Sequence, residues 1–222
     1  SYLVGDTAGN SMLDGVRAAR EIPDAQAGSS VVLWGHSQGG QAALFAAQRA
    51  ADYAPELTID AVAVAAPAAD LSALMDSHLD DVSGVTIGSY AFQAFAGVYA
   101  DRGAELDTVL TPAALGILPE MNRLCLLSHL QELHEIAAPV VGGFVSVDPT
   151  KTEPWAGLLS ENSAGGTAFD APLFVAQGAD DQLVLPGDTE EFVEHERGLG
   201  MTVDHRTVPL ADHGTIAYLA LP

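Results

Sequence analysis

The segment Gly35-His36-Ser37-Gln38-Gly39 constrains this chain more than any other, because of what flanks it. Val31-Val32-Leu33-Trp34 directly before it reads as a short, fully buried strand, and the Ala-rich stretch from Gln38 to about Ala51 reads as a helix. A G-x-S-x-G pentapeptide in that setting predicts a sharp strand-to-helix turn with its serine exposed at the end of the strand. Such a turn forces Ser37 into a strained backbone conformation and crowds its neighbours. Gly35 and Gly39 then keep side chains out of the way, and Gly40 extends the small-residue patch where helix and sheet pack closely. The backbone N–H of Gln38, at the start of the helix, points to where an oxyanion would develop.

A hydroxyl nucleophile needs a base, and the base needs a group that orients it. In sheets built around this turn the chain order is serine, then a carboxylate, then histidine, each on a loop after a strand. Gln177-Gly178-Ala179-Asp180-Asp181-Gln182-Leu183-Val184 follows a predicted strand and offers two acids. Asp181 is the better placed, with Leu183 and Val184 packing below it, and Asp180 is the alternative. Ala211-Asp212-His213-Gly214 follows the last predicted strand and supplies His213 as the base. Of the other histidines, His36 packs in the turn rather than reacting, and His195 and His205 fall inside a helix and a strand. His129 and His134 are five apart on a predicted helix and do not share a face. His78, near Asp76, Asp80 and Asp81, belongs to a solvated acidic turn. No zinc signature is present, and no metal or organic cofactor is implied.

The remaining pattern places these loops on one sheet. Ser11 to about Ile22 reads as a helix with Asp14 at the reciprocal capping position and Pro23 at its exit. Ile59–Ala66 is a second buried strand, and the strand–helix–strand order at short spacing predicts a parallel α/β sheet. From Leu71 to about Phe169 the alternation stops and helix-like runs follow, the clearest from Glu120 to Ala137. It resumes with a strand at Pro172–Gln177, a helix at Asp188–Arg197 and an edge-like strand at Met201–Val208, with a final helix after His213. Residues 1–70 and 169–222 thus form the core, and 71–168 form a helical insertion. Within it Tyr90, Phe92, Phe95 and Tyr99 share one helix-like run and either line an acyl-binding surface or make the insertion's own core.

Composition excludes several function classes. With 222 residues, 48% of them hydrophobic, the chain can bury the core of one compact domain. Thirty acidic residues face eight basic ones, a formal charge of −22 that repels phosphate backbones and anionic headgroups, so nucleic-acid binding is not expected. That charge solubilises the surface, or adapts it to high salt. No apolar run is long enough to cross a bilayer, and no signal peptide is visible. Cys125 is the only cysteine, inside an apolar helical stretch where a thiol is ordinarily an inert core residue.

Ser1-Tyr2-Leu3-Val4-Gly5-Asp6, the Ser11–Arg20 stretch, the run from Val31 to Ala43, Gly178–Pro186 and Asp212-His213-Gly214 together resemble the secretory lipase family, the actinobacterial and fungal group that includes the Candida antarctica lipase A type. The resemblance implies an α/β-hydrolase fold: a mainly parallel sheet with helices on both faces and a helical cap, here residues 71–168. It further implies a secreted serine carboxylic ester hydrolase with Ser37, Asp181 and His213 as triad and Gln38 as one oxyanion donor. In such proteins the stretch corresponding to Tyr2–Gly5 follows several strands and the loop carrying the second donor. Those N-terminal strands are absent from this sequence, and a partner chain carrying them, or a homo-oligomer, is an expectation that follows. A serine peptidase or acyltransferase would use the same triad, and a non-catalytic remnant acting as a binding module is the reading from a different class.

Overall fold

The computed structural model describes residues 1–220. In chain order its helices and strands are α1 (Gly5–Arg20), β1 (Ser30–His36), α2 (Gln38–Tyr53), β2 (Thr58–Ala65), α3 (Leu71–His78), α4 (Val82–Val98), α5 (Pro112–Met121), α6 (Leu130–Ala137), α7 (Trp155–Glu161), β3 (Leu173–Gly178), α8 (Pro186–Gly198), β4 (Val203–Val208) and α9 (Ile216–Leu219). Two compact units emerge. One comprises Gly5–Asp70 with Glu161 onwards, and the other Ser1–Val4 with Leu71–Ser160. The second boundary falls earlier than residue 168 because 161–168 pack on the sheet unit. Asn162 accepts the Gly5 N–H on its side chain and the Gln41 amide on its carbonyl, and the Ala164 N–H donates to Ala69.

The sheet unit holds four parallel strands in the order β1-β2-β3-β4. His36, Ala65, Ala176 and Arg206 form one row across their C-terminal ends, so every loop leaving a strand starts on the same edge. One face is packed. Leu33, Val62, Val64, Leu173 and Val175 meet Leu13 of α1, Leu44 of α2 and Phe192 and Val193 of α8. The other face corrects the expectation of a fully buried first strand: Val32 is 65% and Trp34 44% exposed. Alternation along a strand sends these two opposite to Leu33, and a parallel strand with apolar residues on both faces is built to be covered on both. Beside them runs a groove lined by Trp34, Ala63, Phe174, Ala176 and Arg206, with Leu219 of α9 at its side.

α1 starts six residues before the predicted Ser11. Glycines at 5 and 9 weaken a helix when read locally, yet here they let α1 lie close on α2. A Cβ on Gly5 would overlap the Phe45 ring, and one on Gly9 would come within 2.8 Å of the Ala46 nitrogen. Asp14 is not a cap. It pairs with Arg17 and accepts the Tyr53 hydroxyl.

In the helical unit the predicted Glu120–Ala137 helix is broken between α5 and α6. The Tyr90 hydroxyl donates to the Leu124 carbonyl, taking an acceptor a continuous helix would use itself, while the Asn122 side chain adds a second donor to the Leu118 carbonyl at the end of α5. Cys125 therefore lies exposed in this turn rather than in a core, and His129 precedes α6 with its Nδ1 3.4 Å from the Cys125 N–H nitrogen. His78 is likewise not solvated: it is buried at the end of α3 and its Nδ1 lies 2.5 Å from Asp81, whose carboxylate caps α4 through the Gly84 N–H. Burial and these bonds act in opposition on Asp81, and the net effect holds its carboxyl below the usual range. Phe92 and Phe95 are buried in the unit's own core, Phe92 edge-on to Trp155 at 5.1 Å and Phe95 edge-on to Tyr99 at 5.6 Å. Tyr90 packs against Tyr2 at 5.4 Å, and Tyr90 and Tyr99 are half-buried. Among the described residues no helix is long and apolar enough to cross a membrane.

Candidate active site

Ser37 sits between the last residue of β1 and the first of α2 with φ 56° and ψ −122°, a conformation that costs an L-residue about 1–3 kcal/mol. Several bonds enforce it. The Ser37 N–H donates to Ala65 of β2, and its carbonyl accepts from Gly40, Gln41 and Ala68. Gly35 is required because a Cβ there would overlap the Gly39 carbonyl, and Gly40 because one would lie 2.8 Å from Pro67. Gly39 differs from expectation. A Cβ at that position meets nothing within 4 Å, so the steric demand falls on Gly35 and Gly40 instead. Gln38 opens α2, where the first backbone N–H groups have no acceptor within the helix.

The loops after β3 and β4 bring Asp181 and His213 to this serine. His213 Nδ1 lies 2.8 Å from Asp181 Oδ2, and its Nε2 lies 2.9 Å from Ser37 Oγ. A carboxylate accepts, so Nδ1 carries the proton and donates it; Nε2 is then the acceptor and the Ser37 hydroxyl donates to it. Asp181 is fully buried, while its neighbour Asp180 is exposed. The other Asp181 oxygen accepts the N–H groups of Leu183 and Val184 at 2.8 and 2.9 Å. Those two residues serve it through their backbones rather than by packing beneath it.

Gln177 was not legible as a functional residue. At the end of β3 and fully buried, it reaches Asp181 Oδ2 with its amide nitrogen at 3.3 Å and the Val184 carbonyl at 2.9 Å. Thr189 of α8 donates its hydroxyl to the Gln177 oxygen at 2.7 Å, which fixes which end of the amide faces the carboxylate. Only a Gln two residues after a buried strand residue, within reach of an acid, hints at this arrangement. His36 also enters the site: its Nε2 lies 2.7 Å from the His213 carbonyl oxygen.

His213 is held by its own turn. Asp212 accepts the Thr215 N–H and hydroxyl, bonds that hold its carboxyl below the usual range. Chemically, the three side chains form a line from a buried acceptor through an imidazole to a hydroxyl held on a strained turn, the arrangement that activates a serine for acyl transfer. Among the described residues no group of three His, Cys, Asp or Glu side chains could hold a metal ion.

A sequence model of the secretory lipase family matches residues 1–222. Lipase A of Arthroderma benhamiae is 25% identical over 234 residues, covering 100% of this chain and 48% of that protein. A probable inactive lipase of Mycobacterium tuberculosis is 21% identical over 225 residues, covering 96% of this chain and 48% of that protein. The chain thus spans about half the length of these curated relatives. In structure it is similar to Candida antarctica lipase A in its closed state, with a TM-score of 0.80 and 18% identity over 97% of this chain and 52% of that one. A four-stranded parallel sheet with helices, a serine on the turn after its first strand and a family match along the full sequence lead to one conclusion: the chain belongs to the secretory lipase family.

Proposed function

We propose that this chain carries the acyl-transfer machinery of a secreted serine carboxylic ester hydrolase, a lipase or esterase, with Ser37 as nucleophile, His213 as general base and Asp181 as its orienting carboxylate. The observation that carries this reading is the His213 imidazole bridging Ser37 and Asp181 at 2.9 and 2.8 Å. Ser37 Oγ attacks the ester carbonyl as its proton passes to His213 Nε2. The tetrahedral oxyanion is met by the Gln38 N–H at the start of α2. His213 then returns the proton to the leaving alcohol, and water, activated the same way, releases the acid from the acyl-enzyme. Asp181 stabilises the imidazolium, held to that task by Gln177 and the 183–184 backbone. Of the four aromatic residues Tyr90, Phe92, Phe95 and Tyr99, Tyr90 and Tyr99 keep accessible surface and remain the candidates for substrate contact.

The same reading includes a polypeptide segment that pairs along the outer edge of β1 and lies over Val32 and Trp34, on this or another chain. What supports it is that β1 ends the strand order on that side and carries exposed apolar residues. Such a segment would also supply the second oxyanion donor. A donor missing from a hole of this kind costs about 3–4 kcal/mol of transition-state stabilisation.

The relative described as a probable inactive lipase favours a second reading, a non-catalytic member of the family. Hydrolysis of p-nitrophenyl esters from acetate to palmitate separates the two. Ser37→Ala is expected to lower kcat by at least about 10⁴-fold and to abolish fluorophosphonate labelling. A folded wild-type protein that neither labels nor hydrolyses any ester supports the non-catalytic reading.

A further inference from the structure

Ser37 and His213 belong to opposite edges of the sheet. Ser37 follows β1 and His213 follows β4, and three intervals between parallel strands amount to roughly 14 Å. The segment 209–213 has to cross that distance and still deliver an imidazole to hydrogen-bonding range of Ser37 Oγ. It is tied down on the way. The Ala211 carbonyl accepts the Asp180 N–H at 3.0 Å, and it sits so close to β3 that a Cβ on Gly178 would overlap it. The tie at the far end comes from β1 itself. His36, the residue before Ser37, reaches the His213 carbonyl oxygen at 2.7 Å with Nε2, and the two rings lie 4.7 Å apart at 44°.

A carbonyl oxygen only accepts, so His36 Nε2 carries its proton in this contact. We propose that His36 is a positioning residue for the triad described above: as a neutral imidazole it donates Nε2–H to the His213 carbonyl and locks the histidine loop to the strand that carries Ser37. The inference rests on the triad reading and deepens it. Because the bond runs from the residue adjoining the nucleophile to the backbone of the base, it couples the position of one directly to the other. Neutrality matters as much as the bond, since a charge on His36 would oppose the proton that His213 takes from Ser37.

The surroundings favour the neutral ring. Burial depresses the His36 pKa most, and His213 pushes in the same direction. The bond to the His213 carbonyl and the Asp181 carboxylate act the other way, and the net effect is downward. His213 and Asp181 are the ionisable groups that bear on it, from the loops after β4 and β3, while its neighbour on β2 is the uncharged Ala65.

Two substitutions test this. His36→Gln places an amide N–H near the original Nε2 position without a titrating group, whereas His36→Phe keeps a ring and removes the donor. With kcat counted per fluorophosphonate-titrated site, unfolded molecules drop out. His36→Phe is expected to lower kcat roughly tenfold with KM within about twofold, the scale of one orienting hydrogen bond. His36→Gln is expected to recover most of that loss and to leave the acid limb of kcat/KM where the wild type has it. Wild-type kcat in His36→Phe, or an equal loss in both variants, overturns the proposal. So does an acid limb that moves up in His36→Gln, because His36 would then have been charged. Retained activity in Ser37→Ala instead removes the triad, and this inference with it; Ser37-dependent activity with an unimpaired His36→Phe removes only the role of His36. Imidazole nitrogen NMR gives a readout that needs no turnover: a neutral Nε2–H tautomer at the pH of the activity assay is expected, and the other tautomer or a charged ring there overturns the proposal.

Discussion

Two buried carboxyl groups in the sheet unit have opposite fates. Asp181 has four donors around its two oxygens, one of them from a glutamine whose own oxygen is occupied by Thr189. Glu196 of α8 is equally inaccessible, and neither of its oxygens has a hydrogen-bond partner among the described residues. Burial drives its pKa up, against a smaller opposing influence from His195. Between the ordinary glutamate value and this raised one, the folded protein binds a proton that the unfolded chain has released. Stability from Glu196 is therefore complete below the ordinary value and is lost as pH rises through the folded one. Glu196→Gln is expected to match the wild type near pH 4 and to be more stable at about pH 8 by roughly 1–3 kcal/mol, read from urea denaturation at both pH values. A gap of equal size at both would contradict the assignment. The same comparison explains what sequence reading missed here. Ser37, Asp181 and His213 stand out because strand ends and loops announce them. Gln177 acquires its character from Thr189 of α8, twelve residues on, and Glu196 acquires its own only when α8 packs against the sheet unit and buries it.

At the scale of elements, tertiary contact overrode local propensity in both directions. The Gly5–Arg20 helix begins where the local sequence argues against a helix, because Gly5 and Gly9 permit close approach to α2. The helix-like run 120–137 reads as one helix locally and is broken, because the Tyr90 hydroxyl of α4 claims the Leu124 carbonyl within it. The strands were far more legible, since short apolar runs bounded by turn residues have few alternatives, and each observed strand lies within two residues of its expected bounds. The glycines of α1 make the distinction testable. A methyl group on Gly9 meets the α2 backbone, which cannot yield cheaply, whereas one on Gly15 meets nothing within 4 Å. Gly9→Ala is expected to destabilise by about 1–3 kcal/mol through overpacking, while Gly15→Ala stabilises by roughly 0.5–1 kcal/mol through helix propensity. Denaturant midpoints of the two variants, measured side by side, check both the magnitude and the change of sign.

For the molecule as a whole, strand order was readable because serial strand–helix–strand units place neighbours in sequence next to each other in space. The uncovered face was not readable, since a parallel strand rich in apolar residues looks buried whether or not its cover is present. That face has a consequence through its tryptophan. Trp155 is fully buried and Trp34 is 44% exposed, so the two tryptophans of the chain report on opposite environments. Acrylamide is the appropriate quencher, because a surface of formal charge −22 repels iodide. In the isolated 222-residue chain a single accessible emission component is expected, and Trp34→Phe removes it while leaving the buried component intact. If a segment pairing along β1 completes the oxyanion hole, ester hydrolysis belongs to preparations in which Trp34 is shielded, and the quenchable chain alone is slower by a factor of about 10²–10³. Shielding that grows with protein concentration, together with a doubled mass in sedimentation, would identify the covering partner as a second copy. Full activity in a monomer whose Trp34 is still quenchable would mean that both oxyanion donors lie within these residues and that the open face serves no part in the chemistry.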